Sequence, residues 1–528
     1  MLLSKQLASF IAFAGLSSNA VLGMMNETVN SQVRLAYATD SGMIVSWNTL
    51  KQLSQPTVRY GRSADDLCFQ ASSSVSITYN TSLTYHNHVA LKGLRPDTTY
   101  YYLPSDMLAD NATTPPYSFR TSRSAGDGTP YSAAVLIDLG TMGPKGLTTS
   151  AGQTVNPNNI LKPGENNTMQ SLEKLISTYD FMLHPGDFAY ADAWLKEEAQ
   201  GFLPNTTLQE GYEVYESILN DFYDEMTPMS STKPWMVGAG NHEANCICGT
   251  YKDPFNHITY NDTICSPGQD NFTDFRTRFR MPAESSGGTE NFWYSFDHGM
   301  VHYVMLDTET DLGNGVIGPD ETNGGEGDHT GPFGAYPNAQ LDWLEKDLQS
   351  VDRTKTPWVI ASGHRPWYLS YANKTHTICW SCKNNFEPLF IKYGVDLYLS
   401  GHAHFYQRSA PLNNGTIDPN ELDNPSAPWY ITSGAAGHYD GLDNGTAVPK
   451  PYERFRMDQR NATYGWSRLT FHNCTHMTHD WINSNDSSIV DSATLYKKRE
   501  CSLSQPKVPG LTKLPKLRKL PKLPKLDF

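Results

Sequence analysis

Apolar and polar residues alternate through the first part of the chain, from about residue 26 to residue 122. The clearest apolar positions of this alternation are Val33, Leu35, Tyr37, Met43, Val45 and Trp47. A period of two is typical of a β-strand with one buried face, and turn-forming residues follow these runs at short intervals. Because no run in this region has the period of a helix, the pattern predicts an all-β domain over residues 26–122.

One segment of this domain indicates which type of β fold to expect. Residues 94–103 contain an Arg-Pro-Asp turn that leads into three consecutive tyrosines, beginning at Tyr100. A tyrosine near the start of a strand ties a corner in fibronectin type III-like and immunoglobulin-like sandwiches, so we predict that architecture. His86 and His88 lie in the same domain without a carboxylate cluster, and we interpret them as structural histidines.

A different pattern begins after the connector at residues 121–129. Short apolar runs now end at residues that can bind metals or donate and accept hydrogen bonds: Asp138, His184 to Asp187, Asn241 to Glu243, Asp307, His364, and His402 with His404. Segments with helical periodicity lie between several of these runs, around Leu172, Leu219, Leu344 and Phe386. Strands that alternate with helices predict a layered α/β domain over residues 130–490.

The ends of these apolar runs predict a binding site. Ligands of α/β sheets lie beyond the carboxyl ends of the strands, where tips that are distant in sequence can meet. At the tip Gly401-His402-Ala403-His404, the two imidazoles can share one face of an extended backbone and each offer a nitrogen to a metal ion. A single Asp or His at a strand end usually caps a helix or starts a turn. The number of such tips favours a metal site.

Composition restricts the function further. The chain has 528 residues, which suggests about two to four domains. Its formal charge of -14 argues against general nucleic-acid binding, because most of the surface would repel phosphates. If a phosphate compound is the substrate, a local cation has to attract it.

The N-terminus has the order of charge, apolar core and small residues that is typical of a cleavable secretion signal. Lys5 precedes an apolar run over residues 7–16, and Ser18-Asn19-Ala20 follows it. The run is shorter than the ~20 residues that a membrane span needs, so we predict a signal peptide at residues 1–20 rather than an anchor. We see no other candidate membrane span.

Thirteen Asn-x-Ser/Thr sequons favour an exported protein with N-linked glycans.

Eight cysteines fit disulfides of an oxidising compartment, and their pairing stays open. The motif Cys379-Trp-Ser-Cys382 is alternatively typical of a redox or zinc site, but it lacks a thioredoxin-like context or a second matching pair.

At the C-terminal end of the chain, residues 506–528 repeat Lys-Leu-Pro units with seven basic residues and one acidic residue. Repeated proline excludes a continuous helix, so we predict a solvated tail, with contact to polyanions or membranes as the alternative.

Five blocks of the second domain, taken together, resemble the purple acid phosphatases of the binuclear metallophosphoesterase superfamily. In order they are Asp138-x-Gly140, Gly186-Asp187-Phe-Ala-Tyr190, Gly240-Asn241-His242-Glu243, Gly363-His364 and Gly401-His402-Ala-His404. The resemblance implies a metallophosphoesterase-type α/β (α+β layered) sandwich of sheets flanked by helices. The preceding β-sandwich matches the two-domain layout of the plant and fungal members.

The resemblance also implies a ligand set for two metal ions. It assigns Asp138, Tyr190 and His404 to Fe(III), and it assigns Asn241, His364 and His402 to a divalent ion, which is Zn, Fe or Mn. Asp187 bridges the two ions. Phenolate and carboxylate oxygens are hard ligands suited to trivalent iron, whereas imidazole and a neutral amide suit a divalent metal.

Other residues are implied less directly. His242 resembles the residue that contacts phosphate and helps to protonate the leaving group, and His376 is the nearest candidate for a second substrate-side histidine. Arg365 and Tyr406 are further candidates for the rim of the site.

Two positions depart from the family pattern. Ile137 replaces the first glycine of the first block, and Gln407 replaces a glutamate after the fifth block.

The function implied by the resemblance is that of a secreted, extracellular acid phosphatase, with the cell wall as one candidate location. It would hydrolyse small phosphomonoesters, phytate among them, with a metal-bound hydroxide at an Fe(III)-M(II) centre. A homodimer is compatible with the family, although no surface in the sequence identifies one. The alternatives are a phosphodiesterase or nucleotide pyrophosphatase on the same metals, and a glycosylated binding protein with a vestigial site.

Overall fold

The computed structural model describes residues 30–39, 41–105, 115–141, 161, 164–194, 208–243, 249–253, 258–262, 266–310, 339–370, 377–437, 442–443, 448–457 and 462–504. The predicted signal peptide at residues 1–20 and the basic tail at residues 506–528 lie outside these ranges. In the described part of the chain, no helix is both long enough and apolar enough to cross a membrane.

The N-terminal part is a sandwich of two four-stranded sheets. Its strands are β1 (Ser31–Thr39), β2 (Gly42–Thr49), β3 (Thr57–Gly61), β4 (Phe69–Ser72), β5 (Ser76–Ile77), β6 (Tyr85–Leu91), β7 (Thr99–Ser105) and β8 (Tyr117–Arg120). One sheet has the order β1-β2-β6-β5 and the other β4-β3-β7-β8, and all neighbours are antiparallel. This arrangement confirms the predicted all-β fold.

Two details of the sandwich follow from its sequence. The hydroxyl of Tyr100 accepts a hydrogen bond of 3.1 Å from the backbone N–H of Arg95, which is the predicted tyrosine corner. The alternation in β1 predicts one buried face, but Arg34 and Ala36 are buried as well as Leu35. Strand β1 packs against the second domain, so its polar face is covered too.

Arg34 connects the two domains across that contact. Its guanidinium donates hydrogen bonds of 2.9 Å and 2.6 Å to the carbonyl oxygen of Arg278 in the second domain. Nearby, the hydroxyl of Tyr79 donates to the carboxylate of Glu216 at 2.8 Å. Buried hydrogen bonds of this kind fix the position of the sandwich against the second domain.

The second domain contains most of the remaining regular structure. Its strands are β9 (Tyr131–Val135), β10 (Phe181–Pro185), β11 (Trp235–Gly238), β12 (Gly249–Asp253), β13 (Ile258–Asp262), β14 (Tyr294–His298), β15 (Val301–Met305), β16 (Trp358–Ser362), β17 (Leu397–Ser400), β18 (Tyr406–Ser409), β19 (Leu412–Asn413), β20 (Thr416–Ile417), β21 (Trp429–Ser433), β22 (Glu453–Arg456), β23 (Gly465–Phe471), β24 (His476–Asn483) and β25 (Ile489–Tyr496). Its helices are α1 (Thr168–Lys174), α2 (Leu208–Ser230), α3 (Thr273–Arg278), α4 (Ala283–Ser286), α5 (Ala339–Ser350) and α6 (Trp380–Tyr393).

Two mixed sheets form the core of this domain. The first has the order β11-β10-β9-β23-β24-β25, and the second has the order β14-β15-β16-β17-β21-β18-β22. Aromatic side chains lie between them. The rings of Phe181 and Tyr303 meet edge to face at 5.2 Å, and those of Tyr406 and Trp481 stack at 4.5 Å. The apolar runs predicted as strands therefore form the parallel parts of two packed sheets, which confirms the layered fold.

The cysteines are partly described. Cys379 is bonded to Cys382 at the start of α6, and Cys474 is bonded to Cys501. The first pair excludes the zinc interpretation of that motif, because a bridged pair offers no thiolate to a metal. Cys68 is exposed and unbridged among the described residues. The cluster of Cys246, Cys248 and Cys265 lies outside them.

A buried histidine joins β14, β15 and α5. The ring nitrogens of His302 lie 2.7 Å from Asp297 Oδ1 and 2.9 Å from Asp347 Oδ2. The hydroxyl of Ser295 donates to the second oxygen of Asp347. Burial alone would lower the pKa of His302, but the two carboxylates outweigh it and raise this pKa to about 9.

This network predicts that acid stabilises the fold. Since the pKa of His302 is raised above its usual 6.5, its contribution is fully present below about pH 6.5 and is lost as the pH rises toward 9. We expect His302→Gln to lower the free energy of unfolding by about 2 kcal/mol at pH 5.5 and by much less at pH 9.5. Denaturant titration at both pH values measures this. His476→Gln, at an exposed position, is the control, and an equal loss at both pH values would contradict the prediction.

Candidate metal centre

The strand ends that carry the predicted ligands have an unusual backbone. Asp138, Asp187, Tyr190 and His402 all have positive φ angles, of 60°, 57°, 53° and 63°. Residues other than glycine rarely adopt this left-handed conformation, and it costs about 1–3 kcal/mol where it persists. Its repetition at four residues of three neighbouring strand ends indicates that the fold holds these side chains in place for a purpose other than stability.

The predicted ligands form two groups of side chains, and Tyr190 lies at the centre of the first, which also contains Asp138, Asp187 and His404. Its phenol oxygen is 3.1 Å from Asp138 Oδ1, 3.0 Å from Asp187 Oδ2 and 3.2 Å from His404 Nε2. Burial and the two carboxylates raise the pKa of Tyr190 well above its usual 10. The phenol therefore ionises only beside a strong cation.

A second group shares one carboxylate with the first. His364 Nε2 lies 3.1 Å from Asp187 Oδ2 and 3.1 Å from Asn241 Oδ1, and His402 Nδ1 lies 2.9 Å from the same amide oxygen. The Nδ1 atom of His364 lies 3.2 Å from the carbonyl oxygen of Pro185, and this contact orients the ring. Asp187 thus belongs to both groups.

The two groups fit a pair of cations. Atoms of Asp187, His364 and His402 lie within 4.8 Å of one another, and so do atoms of Asp138, Asp187 and His404. Asp138 and Asp187 are completely buried. Burial raises the pKa of Asp138 well above the usual carboxyl range, whereas the neighbouring His364 imidazole outweighs burial at Asp187 and holds its pKa well below that range, so without further positive charge only one of the two carboxylates is stable as an anion. Bound cations would supply that charge.

Glu243 holds two of the ligand loops together, a role that we did not predict from the sequence. Its carboxylate accepts backbone N–H groups from Asp187 at 2.9 Å, Phe188 at 2.9 Å and Gly240 at 2.7 Å. Glycine is required at position 240, because a Cβ atom there would lie 2.3 Å from Asp187 Oδ1. In the block Gly240-Asn241-His242-Glu243, the glycine thus allows a close contact, the asparagine is a predicted ligand and the glutamate braces the loops.

His242 lies beside the first group and is oriented by Asp192. The Nδ1 atom of His242 is 2.6 Å from Asp192 Oδ2, and its ring centroid is 4.3 Å from that of Tyr190. Its side chain is one-tenth exposed, so the ring is accessible at the edge of the centre. The other predicted substrate-side histidine, His376, lies outside the described residues.

Neither of the two rim candidates is exposed, and Arg365 Nη1 lies 3.4 Å from His402 Nε2 beside the centre. Arg365 is completely buried, and its Nε atom lies 2.9 Å from both oxygens of Glu309. Tyr406 is also buried and donates to Asp491 Oδ2 at 2.6 Å, between the two sheets. Both residues are close to a predicted ligand in sequence, but their side chains point into the core and not to the surface.

The first departure from the family pattern has a simple structural basis. Ile137 is buried, and a Cβ atom at Gly401 would lie 2.3 Å from its Cγ2 atom. The same Cβ would lie 2.3 Å from Asp138 Oδ2. Gly401 thus provides the space in which the larger side chain of Ile137 fits.

The second departure changes a hydrogen bond. Gln407 is buried, accepts the backbone N–H of Ser370 at 2.8 Å and donates to the carbonyl oxygen of Tyr368 at 3.2 Å. A glutamate could make only the first of these bonds when ionised. The amide therefore ties the segment after His364 to strand β18 through both of its polar atoms.

Comparison with known families and proteins agrees with this geometry. Residues 30–121 match the family described as "Purple acid Phosphatase, N-terminal domain". Residues 160–406 match "Calcineurin-like phosphoesterase", and residues 427–492 match "Iron/zinc purple acid phosphatase-like protein C". These three matches fall in the same order as the sandwich, the ligand-bearing strands and the final strands.

Individual relatives are similar over most of their length. Acid phosphatase A of Cryphonectria parasitica is 40% identical over 89% of this chain and 92% of its own. The Fe(3+)-Zn(2+) purple acid phosphatase 12 of Arabidopsis thaliana is 26% identical over 86% of this chain and 81% of its own. The structure of purple acid phosphatase PPD1 from yellow lupin (Lupinus luteus) seeds shares the fold, with a TM-score of 0.65 at 21% identity over 91% of this chain and 78% of that one.

The brace formed by Glu243 leads to a prediction. Glu243→Gln places an amide NH2 group against backbone N–H donors, so we expect the loops of Asp187 and Asn241 to separate and the affinity for metal to fall about tenfold. Metal content after dialysis against a weak chelator measures this. Glu387→Gln is the control, because that buried carboxylate accepts the hydroxyl of Tyr368 at 2.7 Å outside the ligand set. Equal metal retention by both variants would contradict a bracing role.

Proposed function

The chain belongs to the purple acid phosphatase family, and on that basis we propose that it is a phosphoric monoester hydrolase that works with Fe(III) and a second divalent metal, Zn, Fe or Mn. The observation that carries the proposal is the convergence of Asp138, Tyr190 and His404 with Asn241, His364 and His402 around the shared carboxylate of Asp187. A relative whose name states Fe(3+) and Zn(2+) supports the choice of metals.

The ligand types support a division of the two metals. Asp138 and Tyr190 provide hard oxygen ligands for the trivalent ion, and His364, His402 and the amide of Asn241 provide softer ligands for the divalent ion. Such a pair would supply Lewis-acid chemistry for binding phosphate oxygens, acidifying a water molecule and stabilising the charge of the displacement. These largely buried side chains would hold the pair where charge interactions are strong.

His242 has the position of a proton donor. Asp192 holds its Nδ1 atom at 2.6 Å, so proton exchange with a leaving group falls to Nε2. The backbone N–H of His242 donates to Asp187 Oδ1 at 3.0 Å, which ties the histidine to the shared carboxylate.

Several finer properties belong to the same proposal. We infer a secreted glycoprotein that works in an acidic medium, with phytate among its substrates. The sequons at Asn80, Asn271, Asn414 and Asn473 are exposed, so each has room for an N-linked glycan. The acid stabilisation expected from His302 and its two carboxylate partners is consistent with an acidic working environment. Treatment of the secreted protein with a glycosidase that removes N-linked glycans should lower its mass.

The function is tested by metal analysis, a visible spectrum and two substrates. The purified protein should contain iron and a second metal and should absorb visible light through an iron-tyrosinate bond. It should hydrolyse p-nitrophenyl phosphate with a higher kcat/KM than bis(p-nitrophenyl) phosphate. Tyr190→Phe should abolish the visible band, because the variant lacks the phenolate oxygen.

Tyr179→Phe is the matched control for the spectrum, because the Tyr179 hydroxyl donates to the carbonyl oxygen of Leu172. This variant should keep the colour of the natural protein. Protein without iron or visible absorption would overturn the proposal, and a preference for the diester would favour the phosphodiesterase alternative.

A second prediction concerns His242. His242→Gln keeps the backbone bond to Asp187 but cannot donate a proton, so we expect kcat to fall about a hundredfold with metal content unchanged. Asp192→Asn should lower kcat less, because the histidine remains but loses its orientation. Initial rates across the acidic pH range measure both effects. If His242→Gln retains full kcat, the proton comes from another group.

A further inference from the structure

The described residues 434–437 and 442–443, which follow β21, pack against one side of the metal centre. The backbone N–H of Gly434 donates to the carbonyl oxygen of Phe405 at 3.1 Å, and that of Gly437 donates to the carbonyl oxygen of Asp138 at 2.9 Å. At Gly434, a Cβ atom would lie 2.1 Å from the carbonyl oxygen of Ala403. The segment therefore packs directly on the two loops that carry Asp138 and His404.

Asp443 completes this contact with two hydrogen bonds to one residue. Its Oδ2 atom accepts the backbone N–H of His404 at 2.9 Å, and its own backbone N–H donates to the carbonyl oxygen of His404 at 2.9 Å. Both polar backbone groups of His404 are thus held by Asp443. The pair fixes the plane of the peptide groups on each side of the imidazole.

The two histidines of the tip are held by different carboxylates. The backbone N–H of His402 donates to Asp138 Oδ2 at 2.8 Å, so a residue that is itself in the ligand set holds that histidine. His404 is held instead by Asp443, which lies outside the ligand set. The backbone of His404 is therefore bonded to a residue 39 positions later in the chain.

We propose that Asp443 is a positioning residue for the iron half of the centre and that it acts by holding the backbone of His404. The inference rests on the proposed function, which assigns His404 to iron. Residues that orient a metal ligand change metal affinity about 10–100-fold when they are removed, although they do not touch the metal. Asp443 does not contact His364 or Asn241 in the described structure, so the divalent half should be spared.

Two substitutions separate the hydrogen bond from the charge. Asp443→Ala removes the acceptor for the His404 N–H, whereas Asp443→Asn keeps an oxygen acceptor and removes the negative charge. Both variants keep the backbone N–H that donates to the carbonyl oxygen of His404. If position matters, the asparagine variant should behave like the natural protein and the alanine variant should not.

The experiment measures iron, the divalent metal and the visible band in full-length protein dialysed against increasing chelator. We expect Asp443→Ala to release iron at about tenfold lower chelator concentration, with a weakened visible band and with the divalent metal retained. Asp443→Asn should retain both metals. Asp418→Ala is the matched control, because Asp418 also accepts backbone N–H groups, from Asn420, Ser426 and Ala427.

Each other outcome overturns the inference. Unchanged iron release in Asp443→Ala shows that the bond is not needed. Equal loss of both metals, or equal iron loss in Asp418→Ala, indicates a general loosening of the fold. Equal iron loss in both Asp443 variants assigns the effect to charge, and iron loss in the asparagine variant alone overturns the inference if the alanine variant folds poorly. A natural protein without iron overturns the proposed function and this inference together, whereas natural protein with iron isolates the role of Asp443.

Discussion

The burial of two carboxylates in contact with the same phenol is the constraint on which the rest of the structure depends. Asp138 and Asp187 are completely buried, and each lies about 3 Å from the hydroxyl of Tyr190. Anions in that position are unstable unless cations or many donors compensate them. The strained backbone at both aspartates, the glycine at position 240 and the three N–H groups on Glu243 all hold this arrangement against its electrostatic cost. Bound cations would offset that cost.

The two halves of the centre are supported by different parts of the fold. The half around Asn241 and His364 is tied to the ends of β10 and β11 in the first sheet through Glu243 and the carbonyl oxygen of Pro185. The half around His404 depends on the segment after β21, which reaches it through Asp443. Strand ends alone therefore bring the ligands together, but irregular segments set their final orientation.

The sequence predicts the parts of this structure that leave a periodic or a local signature. Alternating apolar and polar positions predicted the β-sandwich, and continuous apolar runs predicted the parallel strands of the second domain. Tyr100 predicted the tyrosine corner. Asp192 and Asp443 were not predicted, because a carboxylate that holds a distant backbone group or ring has no fixed spacing from its partner. Tyr406 was misplaced for the related reason that its orientation depends on the second sheet, which contributes Asp491 and Trp481. His376 stays a prediction.

The departures from the family pattern show how the centre accommodates change. Ile137 is tolerated because Gly401, a residue of a different block 264 positions from Ile137, leaves the space it occupies. Gln407 is tolerated because its amide finds both an N–H and a carbonyl partner in the segment after His364. In each case the altered side chain contacts the loops and not the ligand atoms. Variation is therefore compatible with the metal centre wherever a neighbouring backbone group or glycine compensates for it, and it is not compatible at Asp187, which both halves share.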